Sequence, residues 1–88
     1  MLKIVDLYAD WCMPCRAQKP ILEEVEKLYS SDVLEIERID VDKSQQHAEF
    51  FEVKSIPTMI FMKDDIIVDR VVGLVPKDQL IEKINSFL

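Results

Sequence analysis

The mostly apolar run Leu2-Lys3-Ile4-Val5-Asp6-Leu7-Tyr8 leads within three residues into Trp11-Cys12-Met13-Pro14-Cys15, which holds both cysteines and the only tryptophan of the chain. This junction constrains the fold more than any other stretch. An apolar run without clean alternation is the pattern of a strand covered on both faces, as in a sheet with parallel neighbours. Pro14 suits the first turn of a helix, where its missing N–H is not needed. A helix opening at Met13 sets the two thiols about one turn apart, close enough for a disulfide that draws no distant elements together. The spacing permits reversible thiol chemistry. It equally permits a structural disulfide or two incidental buried thiols.

Composition narrows the choice. The 88 residues, 49% of them hydrophobic, supply one core and predict a single domain over 1–88, with no linker or repeat. A lone Lys3 ahead of a short run broken by Asp6 is not a secretory signal, and the longest apolar stretches are too short to span a bilayer. These features predict a soluble, cytoplasmic protein and no membrane partner. In a reducing compartment a lasting structural disulfide is disfavoured, which moves the CxxC toward catalysis or metal binding. Two cysteines and the single His47 do not complete a four-ligand zinc site within one chain, so no metal is expected. Eleven basic against 17 acidic residues leave a net charge of −6, with no Lys/Arg cluster to neutralise phosphates. That balance argues against nucleic acid and anionic membranes and points to proteins or small thiols as partners.

Along the chain, Ala17, Ile21, Val25 and Leu28 recur at helical spacing and predict an amphipathic helix over 14–29. Pro20 removes one bond of its ladder and pushes on the Arg16 carbonyl, which predicts a kink near Arg16 to Pro20. Val33 to Val41 reads as a second strand, paired parallel to the first through the helical crossover. Asp42 with Gln45 predicts a capping box opening a short helix through Phe51, with His47 on its wet face. Thr58–Met62 and Ile66–Val72 predict a hairpin around Lys63-Asp64-Asp65, where in the absence of glycine either Asp64 or Asp65 must take positive φ or the loop must be wider. Gly73, the only glycine, ends the last strand. Pro76 then starts a helix with Leu80, Ile81, Ile84, Phe87 and Leu88 inward. Asp6 is the anomaly, because a buried carboxylate is costly unless it is paired or protonated.

The order βαβαββα, with CxxC at the end of the first strand, resembles the thioredoxin family. The matching pieces are Val5-Asp6-Leu7-Tyr8-Ala9-Asp10-Trp11-Cys12-Met13-Pro14-Cys15, Lys19-Pro20-Ile21-Leu22, Ile39-Asp40-Val41-Asp42, Ser55-Ile56-Pro57-Thr58 and Val72-Gly73. The resemblance runs from about Ile4 to the C-terminus. It implies an α/β minimal thioredoxin fold: a central four-stranded mixed sheet with helices on both faces. The departures are Met13 for the usual glycine, Tyr8 where a second tryptophan is common, Arg38 for a lysine, a hairpin turn without glycine, and no counterpart of the family's first strand and helix.

The resemblance also implies a chemistry. Cys12 is the nucleophile, at a helix N-terminus that favours the thiolate, and Cys15 is the resolving thiol. Asp6 is the candidate general base for Cys15, and Arg38 beside it modulates the carboxyl. Pro57 matches the family's cis-proline, leaving the Ile56 backbone to pair with an extended substrate. Pro14 belongs to the motif, and Trp11, Met13, Ile56 and Gly73 rim an apolar substrate patch. The activity implied is protein-disulfide reduction by a monomer with no bound cofactor beyond the Cys12–Cys15 redox-active disulfide. A thioredoxin-reductase-like donor or a small thiol would recharge it. An oxidant, isomerase or glutaredoxin-like role, or a thioredoxin-fold binding module without essential turnover, are the alternatives.

Overall fold

The structure, a computed structural model, describes all 88 residues, Met1–Leu88. Its elements are β1 (Leu2–Tyr8), α1 (Met13–Glu26), β2 (Leu34–Asp40), α2 (Gln45–Phe50), β3 (Thr58–Lys63), β4 (Ile66–Val72) and α3 (Lys77–Ser86). The four strands form one mixed sheet in the order β2-β1-β3-β4. β1 pairs parallel with β2, Asp6 opposite Arg38, and antiparallel with β3, Asp6 opposite Met59.

The alternation of side chains along a strand divides β1 between two layers. Leu2 and Ile4 join Met59, Phe61, Leu22, Val25, Leu80 and Ile84 in the core under α1 and α3. Val5 and Leu7 join Ile39, Ile60 and Phe51 in the smaller core on the opposite face. Helices thus lie on both faces, and β1 carries apolar residues on each because each is covered. Asp6 follows Ile4 on the α1 side and is fully buried.

Three expectations are corrected. The buried face of α1 is Cys15, Gln18, Leu22 and Val25, whereas Ala17 and Leu28 are exposed and Ile21 is half-buried. The phase of the helix is set by Cys15 turning inward, and the polarity of Gln18 disguised the stripe. The capping box at Asp42 does not form: α2 starts at Gln45 with Ser44 at its cap and no side-chain cap bond. Asp42 instead accepts the Trp11 indole N–H at 2.8 Å, which commits its carboxylate elsewhere. Leu88 is 56% exposed, one residue past the turn that closes α3. α1 runs on through Pro20, and His47 is exposed as expected, with Nδ1 against the Ser44 hydroxyl. At the hairpin both Asp64 and Asp65 take positive φ, 52° and 68°, which replaces the missing glycine.

Candidate active site

The first turn of α1 builds the sulfur site. Cys12 is the N-cap residue, in extended conformation, and its Sγ accepts a hydrogen bond from the Cys15 N–H at 3.3 Å. The leading N–H groups of a helix have no partners within it, so the helix end turns free donors and the positive end of its dipole toward that sulfur. Pro14 sits in this first turn, where it removes no ladder bond. Cys12 is 5% exposed and Cys15 fully buried. The two are joined as a disulfide with Cα atoms 5.2 Å apart, so the structure is the oxidised state, and only Cys12 is open to a partner.

The segment before β3 faces this turn. The Ile56 carbonyl oxygen lies 3.8 Å from Cys12 Sγ, and Ile56 packs against Ala9 and both cysteines. The Ile56–Pro57 peptide bond is cis. Thr58 Oγ1 donates to the Ser55 carbonyl at 2.6 Å. Gly73, at φ 98°, donates its N–H to the Pro57 carbonyl at 2.8 Å, a conformation that an L side chain resists. Trp11 and Met13, 69% and 71% exposed, flank Cys12 in the chain. Three separate segments thus carry these residues: Trp11 and Met13 adjoin Cys12 in the chain, Ile56 faces its sulfur, and Gly73 is tied to Pro57.

Asp6 and Arg38 form a second group. Asp6 Oδ2 accepts from Arg38 Nε at 2.9 Å, and the guanidinium carbon lies 4.0 Å from the centre of the Tyr8 ring. Asp6 Oδ1 is buried with no hydrogen-bond partner. Burial pushes the Asp6 carboxyl above its ordinary value, and the hydrogen bond and charge of Arg38 pull against that rise. A polar cleft of about 420 Å³ is lined by both Cys15 and Arg38, together with Tyr8, Arg16 and Lys19. No group of three or more His, Cys, Asp or Glu side chains is placed to hold a metal ion. No helix is long and apolar enough to cross a membrane.

Two residues near the site were missed from the sequence. Asp42 fixes the Trp11 indole, but its spacing from Gln45 mimicked a cap. Gln18, three residues after Cys15, is fully buried and bonded at both ends to Val75, Nε2 to the carbonyl at 3.1 Å and Oε1 from the N–H at 2.8 Å. Its position on the Cys15 face was the available clue.

One buried and one near-surface sulfur, adjacent and able to gain or lose two electrons as a pair, define a thiol–disulfide oxidoreductase. A family model described as Thioredoxin matches residues 1–86. The thioredoxin of Staphylococcus haemolyticus is 44% identical over 87 residues, 99% of this chain and 83% of that protein. A thioredoxin variant from Halobacterium salinarum superposes with a TM-score of 0.90 at 34% identity, covering 98% of this chain and 74% of that one. Fasciola hepatica thioredoxin gives 0.86 at 35% identity, covering 97% and 79%. The chain belongs to the thioredoxin family and is a protein-disulfide reductase.

Proposed function

We propose that Cys12 attacks and Cys15 resolves, with Asp6 as the base for Cys15. The observation that carries this reading is Cys12 Sγ at the helix cap, taking the Cys15 N–H and opening onto an apolar rim. In the reduced protein the same donors would stabilise the Cys12 thiolate. That thiolate attacks one sulfur of a substrate disulfide. The substrate S–S bond breaks, a Cys12–substrate mixed disulfide forms, and the other substrate sulfur leaves as a thiolate. Cys15 then loses its proton and attacks Cys12 Sγ, which reforms Cys12–Cys15 and releases the second substrate thiolate. Two electrons pass from the dithiol to the substrate.

Asp6 supports the second step because its unpaired Oδ1 is free to accept a proton. A cleft lined by Cys15 and by Arg38, the ion-pair partner of Asp6, leaves room for water on the Cys15 side of the pair, although Asp6 itself does not line it. Arg38 keeps the carboxyl partly stabilised as an anion. Trp11, Met13, Ile56 and Gly73 form the docking rim, with Met13 adding flexible, oxidisable apolar surface where the family has glycine. The domain over residues 1–88 works as a cytoplasmic monomer on disulfides displayed by other proteins. A thioredoxin-reductase-like donor or a small thiol returns it to the dithiol.

The test is reduction of insulin disulfides under excess dithiothreitol by wild type, Cys12→Ser and the double cysteine variant. Cys12→Ser should abolish turnover above background. Partner function in cells that survives loss of both cysteines would instead establish a binding module.

A further inference from the structure

The wall of the docking rim contributed by the β4–α3 connection is nearly free of backbone pairing. Across Gly73–Val75 the one backbone–backbone bond is Gly73 N–H to the Pro57 carbonyl. Leu74 is 45% exposed, and the ladder ends one residue before Gly73, at Val72 paired with Thr58, so this segment offers apolar surface without a ladder to hold it. Its second anchor comes from the other side of the site. Gln18 places a complete primary amide against the Val75 backbone, one donor and one acceptor each, across 57 residues of sequence.

Core filling does not require a glutamine there. Leu22 and Val25 on the same helix face are apolar, and Val75 and Leu80 belong to the core they pack in. Burying an amide without partners is costly, and even a fully bonded one gains little over an apolar side chain of the same size. What the amide supplies is direction, because two converging hydrogen bonds hold the segment at one distance and orientation to α1. Gln18 sits one turn behind Cys15, while Gly73 is tied to Pro57, next to the Ile56 carbonyl that faces Cys12. The thiols, the Ile56–Pro57 segment and the Leu74 wall are thus fastened into one body.

We propose that Gln18 is a positioning residue for protein substrates, its side-chain amide locking the Gly73–Val75 wall of the docking rim to the helix that carries the thiols. The proposal rests on the reading that substrates dock on that rim. Without the lock the segment samples undocked positions, and apparent affinity falls by the fraction of time it is out of place. The chemical step at Cys12 and Cys15 is untouched.

Gln18→Met conserves size and removes both hydrogen bonds. Its KM for insulin disulfides should rise about fivefold while kcat stays within about twofold, and its redox potential should equal that of wild type. Gln18→Glu keeps the acceptor for the Val75 N–H but has a donor for the carbonyl only while protonated. Its KM, taken relative to wild type at each pH, should therefore climb as pH rises from about 5 to about 8, since burial raises a carboxyl into that range. A Gln18→Met KM within twofold of wild type, or a matching fall in turnover of a small disulfide such as hydroxyethyl disulfide, overturns the proposal. Should Gln18→Met not fold, a pH-independent KM ratio in Gln18→Glu overturns it. Met13→Asp separates the two layers of the argument. If it raises KM and Gln18→Met does not, only the role of Gln18 fails; if neither does, the docking rim fails and this inference with it.

Discussion

Replacing Asp6 by Asn should stabilise the oxidised protein at neutral pH while slowing its turnover. Asp6 is fully buried, its Oδ1 has no partner, and its one ionic contact is to an Arg38 side chain that remains 21% exposed. An unsatisfied buried polar atom costs about 1–3 kcal/mol, more when charged, and the charge-assisted bond to Arg38 returns part of that. The raised carboxyl shows that the sum disfavours the anion. Asn keeps the shape and removes the charge, for an expected gain of about 1–2 kcal/mol at pH 7. In a domain of this size that is a rise in Tm of roughly 5–15 °C. Because the folded-state carboxyl titrates above the unfolded one, the protonated form contributes stability that is fully present below the ordinary value of 3.8 and is lost as pH rises through the folded value. The advantage of Asn should therefore be present at pH 7 and vanish near pH 3. Circular dichroism melts of both proteins at the two pH values measure it. A variant less stable than wild type at pH 7 would show that the Arg38 pair outweighs desolvation, and one equally advantaged at pH 3 would show that the gain does not come from removing the charge. The same variant should slow resolution of the mixed disulfide by roughly 10²-fold, the scale of a lost general base.

Arg38→Lys should let the Asp6 carboxyl titrate higher, because the stack on Tyr8 and the directed Nε bond are lost; a titration of Asp6 by NMR that does not move would refute the role given to Arg38. Cys15→Ser should stall as a mixed disulfide on Cys12, visible as a covalent adduct on non-reducing gels and absent from Cys12→Ser. Leu22→Ala, at a site 1% exposed in the α1–α3 core, should cost about 2–5 kcal/mol in urea unfolding without changing the redox potential. Gly73→Ala meets no atom within 4 Å, so its penalty should be backbone strain alone, about 1 kcal/mol, at φ 98°.

The order of elements and the pairing of β1 were legible because period and punctuation agreed: an apolar run too continuous for a one-sided strand, then a proline suited to a first turn. The Asp64-Asp65 turn was readable for the same reason, since a short hairpin without glycine leaves few residues to take positive φ. What failed did so where one residue serves a distant partner. Asp42 has the spacing of a cap but is committed to Trp11, and Gln18 interrupts the buried stripe of α1 because its partner is the Val75 backbone 57 residues on. Neither commitment leaves a local trace in the sequence. Arg38 was placed beside Asp6 by resemblance, and the β1–β2 register supplies the physical reason: the two Cα atoms are direct partners across a parallel pair.

The buried polar side chains divide by what they are free to do. Three such residues sit inside the molecule: Asp6, Gln18 and Thr58. Thr58 spends its hydroxyl on the Ser55 carbonyl ahead of β3, and Gln18 uses both ends of its amide on Val75. Each is satisfied, and each holds one wall of the rim in place, which is what a fully paired polar group does well. Asp6 alone keeps an oxygen without a partner, and a carboxylate is the one of the three side chains that can take up a proton. If the orphan oxygen were a packing defect, an uncharged replacement of the same shape would improve stability and leave turnover intact. If it is the proton acceptor for Cys15, stability and resolution must move in opposite directions in the same variant. The joint outcome in Asp6→Asn therefore decides between defect and device, which neither the melt nor the kinetics decides alone.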